Sequence, residues 1–303
     1  MNIIRGLHNL TKYPGSVVTI GNFDGVHIGH QHMIKRLVEK SKSLGLPSIL
    51  ISFSPTPQSF FGHQQAILSN FKQKHQLLAA LGLDFHLIIK FDQAFSKLSA
   101  NEFIQQVLLD KLGMKFCLIG DDFRFGAGRT GDFTLLKEQG LLAGFKVENT
   151  HSILCDDYRA SSSTIRKFLS QGNFKSANKM LGREFSIAGK VAHGKQLGRT
   201  INFPTINIPI KHKISPVLGV FAVQVNIIGE IFNGVCNIGK RPTVNGENIL
   251  LEVFLFNFNQ TVYGEPTSIT FKKRIRDEQK FDSFNALKAQ IELDTKTAKD
   301  FFN

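Results

Sequence analysis

Two rhythms divide this chain, and each calls for its own architecture. Up to about residue 120, short apolar runs alternate with amphipathic stretches of helical length. "SVVTIG" (16–21) is followed by a helix from about Gly29 to near Gly45, and then by "SILISF" (48–53). A helix around 69–81, "HLIIKF" (86–91), a helix around 99–112 and "FCLIG" (116–120) continue the pattern. Strand–helix alternation with short connections predicts a parallel sheet covered on both faces. Sheets of that kind bind ligands beyond the carboxyl ends of their strands.

After the helix-like "TIRKFLSQGNFKSANKMLG" the rhythm changes. "FSIAGKVA", "INFPTINI", "GVFAVQVNII", "IFNGVCNIG", "LLEVFLFNF" and "TSITFKKRI" are short β-rich segments separated by Gly, Pro and Asn. They predict a mainly antiparallel barrel or sandwich. The stretch "DSFNALKAQIELDTKTAKDFF" has an Asp/Ser start and apolar residues at helical spacing: Phe284, Leu287, Ile291, Ala298 and Phe301. It reads as one closing helix. The expected domains are therefore 1–182 and 183–303, with the boundary near Leu181–Glu184.

Composition narrows the class. A chain of 303 residues has room for two cores. No run approaches the roughly 20 apolar residues needed to span a bilayer, and the start shows no secretion signal. Cys117, Cys155 and Cys236 are odd in number, far apart and without a CxxC pair, which fits a reducing cytoplasm better than a disulfide framework. The formal charge is +13. Residues 1–182 hold 21 basic and 13 acidic residues, and 183–303 hold 16 and 11, so the excess is spread along the chain. Spread basicity suits anionic partners, nucleotides included.

The stretch "TIGNFDGVHIGHQHMI" (19–34) follows the first strand and holds three histidines and three glycines. A strand running through a Gly-containing turn into a helix offers free N–H groups and a positive helix end to an anion. Gly29 lets a ligand approach the backbone, and His27 and His30 can donate to phosphate oxygens. A metal held by His27, His30 and His32 is the weaker alternative, because no carboxylate or cysteine cluster completes it. Solvated helix-start histidines are the plain one. A second feature, "RASSSTIRKFL", sets Ser161, Ser162 and Ser163 at a helix start with Arg166 one turn on, suited to a polyphosphate.

"GNFDGVHIGH" with the later "SSSTIR" resembles the HxGH signature of the nucleotidyltransferase superfamily. The wider series resembles, in order, the bacterial bifunctional riboflavin kinase/FMN adenylyltransferase (FAD synthetase) family. It comprises "TIGNFDGVHIGH", "SFSPTPQSFF", "LIGDDFRFGAGRTGD", "SSSTIR", "GKVAHGKQLGRTINFPTIN", "GVCNIGKRPTV", "LEVFLFNF" and "RIRDEQKFDSFNALKAQI". The resemblance implies an α/β nucleotidyltransferase (Rossmann-like) domain followed by an antiparallel β-barrel riboflavin kinase domain with a C-terminal helix. It implies ATP-dependent phosphorylation of riboflavin to FMN, then adenylylation of FMN to FAD with release of pyrophosphate. Riboflavin, FMN, FAD and ATP are the implied partners, with Mg²⁺ or another divalent cation. Neither a membrane nor a specific nucleic acid is expected, and any self-association is expected to be weak.

In the N-terminal domain the resemblance gives His27 and His30 to the ATP phosphates, while Asn22, Asp24 and Gly29 shape the turn. It gives Ser161, Ser162, Ser163 and Arg166 to the leaving pyrophosphate, and it places Asp122, Phe123 and Arg124 near ATP and the flavin. Two departures from the family pattern are Ser163 in place of threonine and Thr56 in place of histidine. In the C-terminal domain, Thr205 and Asn207 of "FPTIN" lie two apart, on one face of a strand, able to hold Mg²⁺ with nucleotide phosphates. Ile206, commonly alanine in the family, points the other way. Gly194, Lys195 and Arg199 of "HGKQLGRT" suit phosphates. Glu252, a carboxylate in an otherwise apolar strand, is the implied base for the riboflavin 5′-hydroxyl. Arg276, Asp277 and Phe281 resemble the flavin-side segment.

Three rival functions follow from the same sequence. A nucleotidyltransferase with another acceptor would not need the kinase-like second half. A nucleic-acid-binding protein would fit the charge, but no helix-turn-helix or interleaved aromatic–basic cluster is present. A flavin carrier would not need HxGH, SSST-x-R and Thr–x–Asn together.

Overall fold

The computed structural model describes every residue except 11, 195–202, 211–213 and 244–245, and also leaves aside the side chains of 240–243 and 246–248. Packing divides the chain into two compact units. One comprises residues 1–65 and 71–161; the other comprises 66–70 and 162–303.

The first unit is an α/β sandwich. Its strands are β1 (Asn2–Arg5), β2 (Ser16–Ile20), β3 (Ser48–Ser54), β4 (Phe85–Lys90), β5 (Met114–Gly120) and β6 (Lys146–Thr150). They form one parallel sheet in the order β1-β4-β3-β2-β5-β6. Its helices are α1 (Ile28–Leu44), α2 (Pro57–Phe60), α3 (Phe71–Ala80), α4 (Gln93–Ser96), α5 (Ala100–Glu102), which runs on through a wider helical stretch to Leu109, and α6 (Phe133–Ala143). A small hairpin, β7 (Leu154–Cys155) with β8 (Tyr158–Arg159), follows. The sheet is apolar on both faces, as covered parallel sheets are. Val18, Ile49, Leu87 and Cys117 pack with Ile104, Val107 and Leu108 on one side. Val17, Leu50, Phe116 and Leu118 pack with Ile34, Leu37 and Leu78 on the other.

Sequence rhythm left β1, β6 and α6 unassigned. The two strands are edge strands with alternating or mostly exposed residues, so their apolar signal is weak. Chain order reverses between β2 and β5, which makes the gap beyond their carboxyl ends the crevice of the sheet.

The second unit begins with α7 (Ser162–Ser170) and α8 (Phe174–Leu181). β9 (Ser186–Lys190), β10 (Thr205–Ile210), β11 (Gly219–Ile227), β12 (Glu230–Thr243), β13 (Gly246–Leu255) and β14 (Pro266–Arg276) follow, and α9 (Phe284–Phe302) closes the chain. The strands form an antiparallel sheet in the order β10-β13-β12-β11-β14-β9. Its two edges nearly meet: Ala192 N donates to Asn207 O at 2.8 Å. A nearly closed barrel results. Phe221, Val223, Cys236, Ile238, Leu251 and Val253 are buried on the inner face, together with Ile208.

The closing helix turns inward the stripe its apolar spacing suggests, with Ala298 fully buried and Leu287 and Ile291 half-buried. Asp294, Thr295 and Ala298 are the buried residues, whereas Phe284 and Phe301 are exposed. Asp294 goes inward to meet Arg276, and the small Ala298 lets the helix pack closely on the sheet.

The packing division at 161/162 precedes the change of rhythm because α7 and α8 contribute to the barrel core. Phe174 is buried with its ring 5.8 Å from that of Phe221 and 6.0 Å from that of Phe271. A fragment starting at Ser162 should therefore unfold at least about 5 °C above one starting at Arg183. Equal melting temperatures by calorimetry would show that the two helices add nothing to the barrel.

Candidate active sites

In the first unit the crevice is built by the turn after β2. Gly21 and Asn22 leave the strand, and three of the next four residues have positive φ: Phe23 at 50°, Gly25 at 78° and Val26 at 41°. That is uncommon for an aromatic and a β-branched residue, and such outliers collect at functional turns. The coil delivers His27 to the N-cap of α1, where its Nδ1 accepts from His30 N at 3.4 Å. Gln31 Nε2 fastens the turn to Val26 O at 2.8 Å. The rings of His27 and His30 stack at 3.6 Å, and Phe23 lies 4.9 Å from His30. The two HxGH histidines thus form one unit.

His30 is half-buried, and its Nδ1 is enclosed with no hydrogen-bond partner among the described residues. Burial first, then His27 and Lys74, hold its pKa well below the ordinary histidine value. It is therefore a neutral imidazole at pH 7. A Cβ at Gly29 would lie 3.2 Å from the His27 ring and 3.7 Å from Ala160 O. The residue just before Ser161 therefore borders the HxGH turn. Asn22 Nδ2 donates to Gln58 Oε1 at 3.0 Å, and Lys74 Nζ donates to Asn22 O at 3.2 Å.

Beyond β5, Asp121 and Asp122 both pair with Arg159 at 3.1 Å. Phe123 stacks on Phe125, and Arg124 turns back to donate to Phe123 O at 3.1 Å. The segment after β5 is thereby fixed beside the crevice. Thr56 caps α2 by accepting from Ser59 N at 3.2 Å. Ser161 belongs to the first unit, whereas Ser162, Ser163 and Arg166 open α7 in the second. There Arg166 Nε donates to Ala66 O at 2.6 Å. Among the described residues, no three His, Cys, Asp or Glu side chains converge as metal ligands, His27, His30 and His32 included.

The second unit assembles its polar group by register. Asn207 on β10 lies directly across from Glu252 on β13, and Glu252 lies directly across from Asn237 on β12. Opposite residues of an antiparallel pair share a face. Thr205, two residues along, shares it too, while Ile206 points into the barrel opposite Val253. Gly194 packs on the Asn207 amide so closely that any Cβ there would overlap it. Lys195 and Arg199 lie outside the described residues.

The same outer face carries Val220, Ala222 and Val235 packed against Ala298 of α9. Arg276 fastens α9 to the sheet: its Nε and Nη2 reach the Asp294 carboxylate at 2.9 and 2.8 Å. The Arg276 guanidinium also lies 5.6 Å over the Phe281 ring. Asp277 pairs with Arg274, and the Glu278 carboxylate rests on Gly239, two residues from Asn237 on the same face.

Sequence reading missed Asn237, Lys74 and Asp294. The first two carried a usable signal. Asn237 alternates with the apolar Cys236 and Ile238, and Lys74 precedes the buried Leu78 by one helical turn.

Two family models match, one described as FAD synthetase over residues 10–164 and one as riboflavin kinase over residues 181–302. Curated relatives described as bifunctional riboflavin kinase/FMN adenylyltransferase align along the full chain. One from Haemophilus influenzae is 45% identical over 100% of both chains. One from Escherichia coli is 44% identical over 100% of this chain and 98% of its own. The chain belongs to the bifunctional riboflavin kinase/FMN adenylyltransferase family. A Pseudomonas fluorescens member is 41% identical over 99% of this chain and 97% of its own. A crystal structure titled as a macrolide-efflux protein from Streptococcus pneumoniae shares the fold, with a TM-score of 0.82 at 28% identity over 98% of each chain. Among the described residues of this family member, no helix is long and apolar enough to cross a membrane.

The Arg276–Asp294 pair has side chains only 20% and 5% exposed. Asp294→Ala would leave the guanidinium without its carboxylate, and should destabilise the C-terminal unit by about 3–5 kcal/mol. Chemical unfolding of the variant measures this. A loss under about 1 kcal/mol would show that solvent already carries the Arg276 charge.

Proposed function

We propose that this enzyme makes FAD in two phosphorus transfers, the first in the C-terminal unit and the second at the HxGH turn. In the kinase step the riboflavin 5′-oxygen attacks the γ-phosphorus of ATP, the bond to the β-phosphate bridge oxygen breaks, and ADP leaves. Glu252 takes the hydroxyl proton as attack proceeds. The observation that carries this assignment is the register placing Glu252 between Asn207 and Asn237 on one face with Thr205.

Thr205 and Asn207 offer hard oxygen donors, which suit Mg²⁺ held jointly with nucleotide phosphates. Bound there, Mg²⁺ would neutralise phosphate charge. Gly194 lets the chain close on Asn207, and Lys195 and Arg199 are assigned to the nucleotide phosphates. Arg276, Asp277 and Phe281 shape the flavin side, Arg276 through its hold on α9.

In the adenylyl step an FMN phosphate oxygen attacks the α-phosphorus and pyrophosphate leaves. The attacking group is already an anion, so no strong base is needed. His27 and His30 donate to the phosphates, Asn22, Asp24 and Gly29 hold the turn, and Asp122, Phe123 and Arg124 border the ATP and flavin. Ser161, Ser162, Ser163 and Arg166 take the leaving pyrophosphate. We place the functional boundary near residue 182 and the protein in the cytoplasm, where its dispersed free cysteines, two of them buried, stay reduced.

Single substitutions separate the two reactions. His30→Ala should abolish FAD formation from supplied FMN and leave riboflavin phosphorylation near normal. Equal loss of both products in a folded variant would sink the two-site reading. Glu252→Gln should slow FMN formation by roughly 10²–10⁴-fold, the usual worth of a general base, with FAD formation from FMN unchanged. Kinase activity within about threefold of the parent would leave Glu252 a mere strand carboxylate.

A further inference from the structure

α3 lies on the same side of the first unit's sheet as α1, and Leu78 buries its face fully. One turn earlier on that face, Lys74 directs its ammonium to Asn22 O at 3.2 Å, where the chain leaves β2. Burial lowers its pKa, and the Asp24 carboxylate pushes back in favour of the charged form. A cation drawn this far from water normally answers to a nearby anion or a fixed dipole. Here it holds a backbone carbonyl and acts electrostatically on His30.

We propose that Lys74 is a positioning residue for adenylyl transfer: its ammonium pins the Asn22 carbonyl at the start of the HxGH turn and sets a fixed positive charge beside His30. The proposal rests on the adenylyl-transfer reading of that turn.

Two consequences follow. The ring of His30 has an enclosed, unpartnered Nδ1 and is resisted from taking a second proton by Lys74 from α3 and by His27 from the cap of α1. It therefore meets an anionic phosphate as a neutral ring with one N–H and one lone pair. The positive charge beside it comes from Lys74, whose charged form the Asp24 carboxylate favours. Lys74 acts likewise on buried His86 of β4, which His75 and Arg5 also face, and whose pKa burial drives down to about 3.

The test uses the full chain with two substitutions. Lys74→Gln keeps a donor for the Asn22 carbonyl and removes the charge, whereas Lys74→Arg keeps the charge. Two quantities are read across about pH 5.5–8.5. One is FAD formation from supplied FMN. The other is the NMR titration of His30, assigned by its absence in His30→Gln. Lys74→Gln should raise the pH at which His30 takes up a proton. It should also cut FAD formation by about tenfold to hundredfold, as expected when reacting groups lose alignment, with the loss growing as pH falls. Lys74→Arg should keep the low His30 titration and most of the rate, and riboflavin phosphorylation should be unchanged in both. An unaltered His30 titration in Lys74→Gln, or FAD formation within about twofold of the parent at every pH, would overturn the proposal. If the parent itself made no FAD, the adenylyl reading would fail, while the titration would still decide whether Lys74 governs His30.

Discussion

The antiparallel register of β13 against β10 and β12 decides what the C-terminal unit can do. Glu252 faces Asn207 on one side and Asn237 on the other. A slip of one residue would send the carboxylate into the barrel beside Cys236 and Ile238, because side chains alternate with period two. What prevents the slip is the apolar set of the opposite parity. Leu251, Val253 and Leu255 are buried with Ile208, Cys236 and Ile238, and a one-residue slip would turn them outward. The polar row on the outer face is therefore set by the hydrophobic row on the inner one. The Arg276–Asp294 pair then keeps α9 over that outer face.

The N-terminal unit solves a different problem with a different device. It must hold several phosphate charges without carrying a strong base, since its proposed nucleophile is already ionised. Reversal of strand order between β2 and β5 opens a crevice, and the coiled turn from Phe23 to Val26 brings two imidazoles into contact within it. Stacked rings at 3.6 Å cannot both be charged at low cost. Burial, His27 and Lys74 together resist a proton on His30.

Much of this was legible in the sequence because spacing encodes face. Thr205 and Asn207 two apart on a strand, and His27 with His30 at a helix start, declare their geometry without any partner. The alternation of strand and helix likewise declared the parallel sheet, and the short β segments the antiparallel barrel. Other features depend on contacts made at long range. Lys74 meets a carbonyl 52 positions away, and Asn237 becomes part of a site only once β12 and β13 are in register. The edge strands β1 and β6 are too short and too exposed to stand out. In α9 the spacing found the inward stripe through Leu287, Ile291 and Ala298, but Phe284 and Phe301 stay exposed and the buried Asp294 is held by its long-range pairing with Arg276.

One chain performs two distinct phosphorus transfers on a flavin. Supplying riboflavin and Mg²⁺ with ATP labelled at either the γ- or the α-phosphate tests it directly. Chromatography should find the γ label in FMN and then in FAD, and the α label in FAD alone. A γ label absent from FMN, or an α label that never reaches a flavin, would contradict the account.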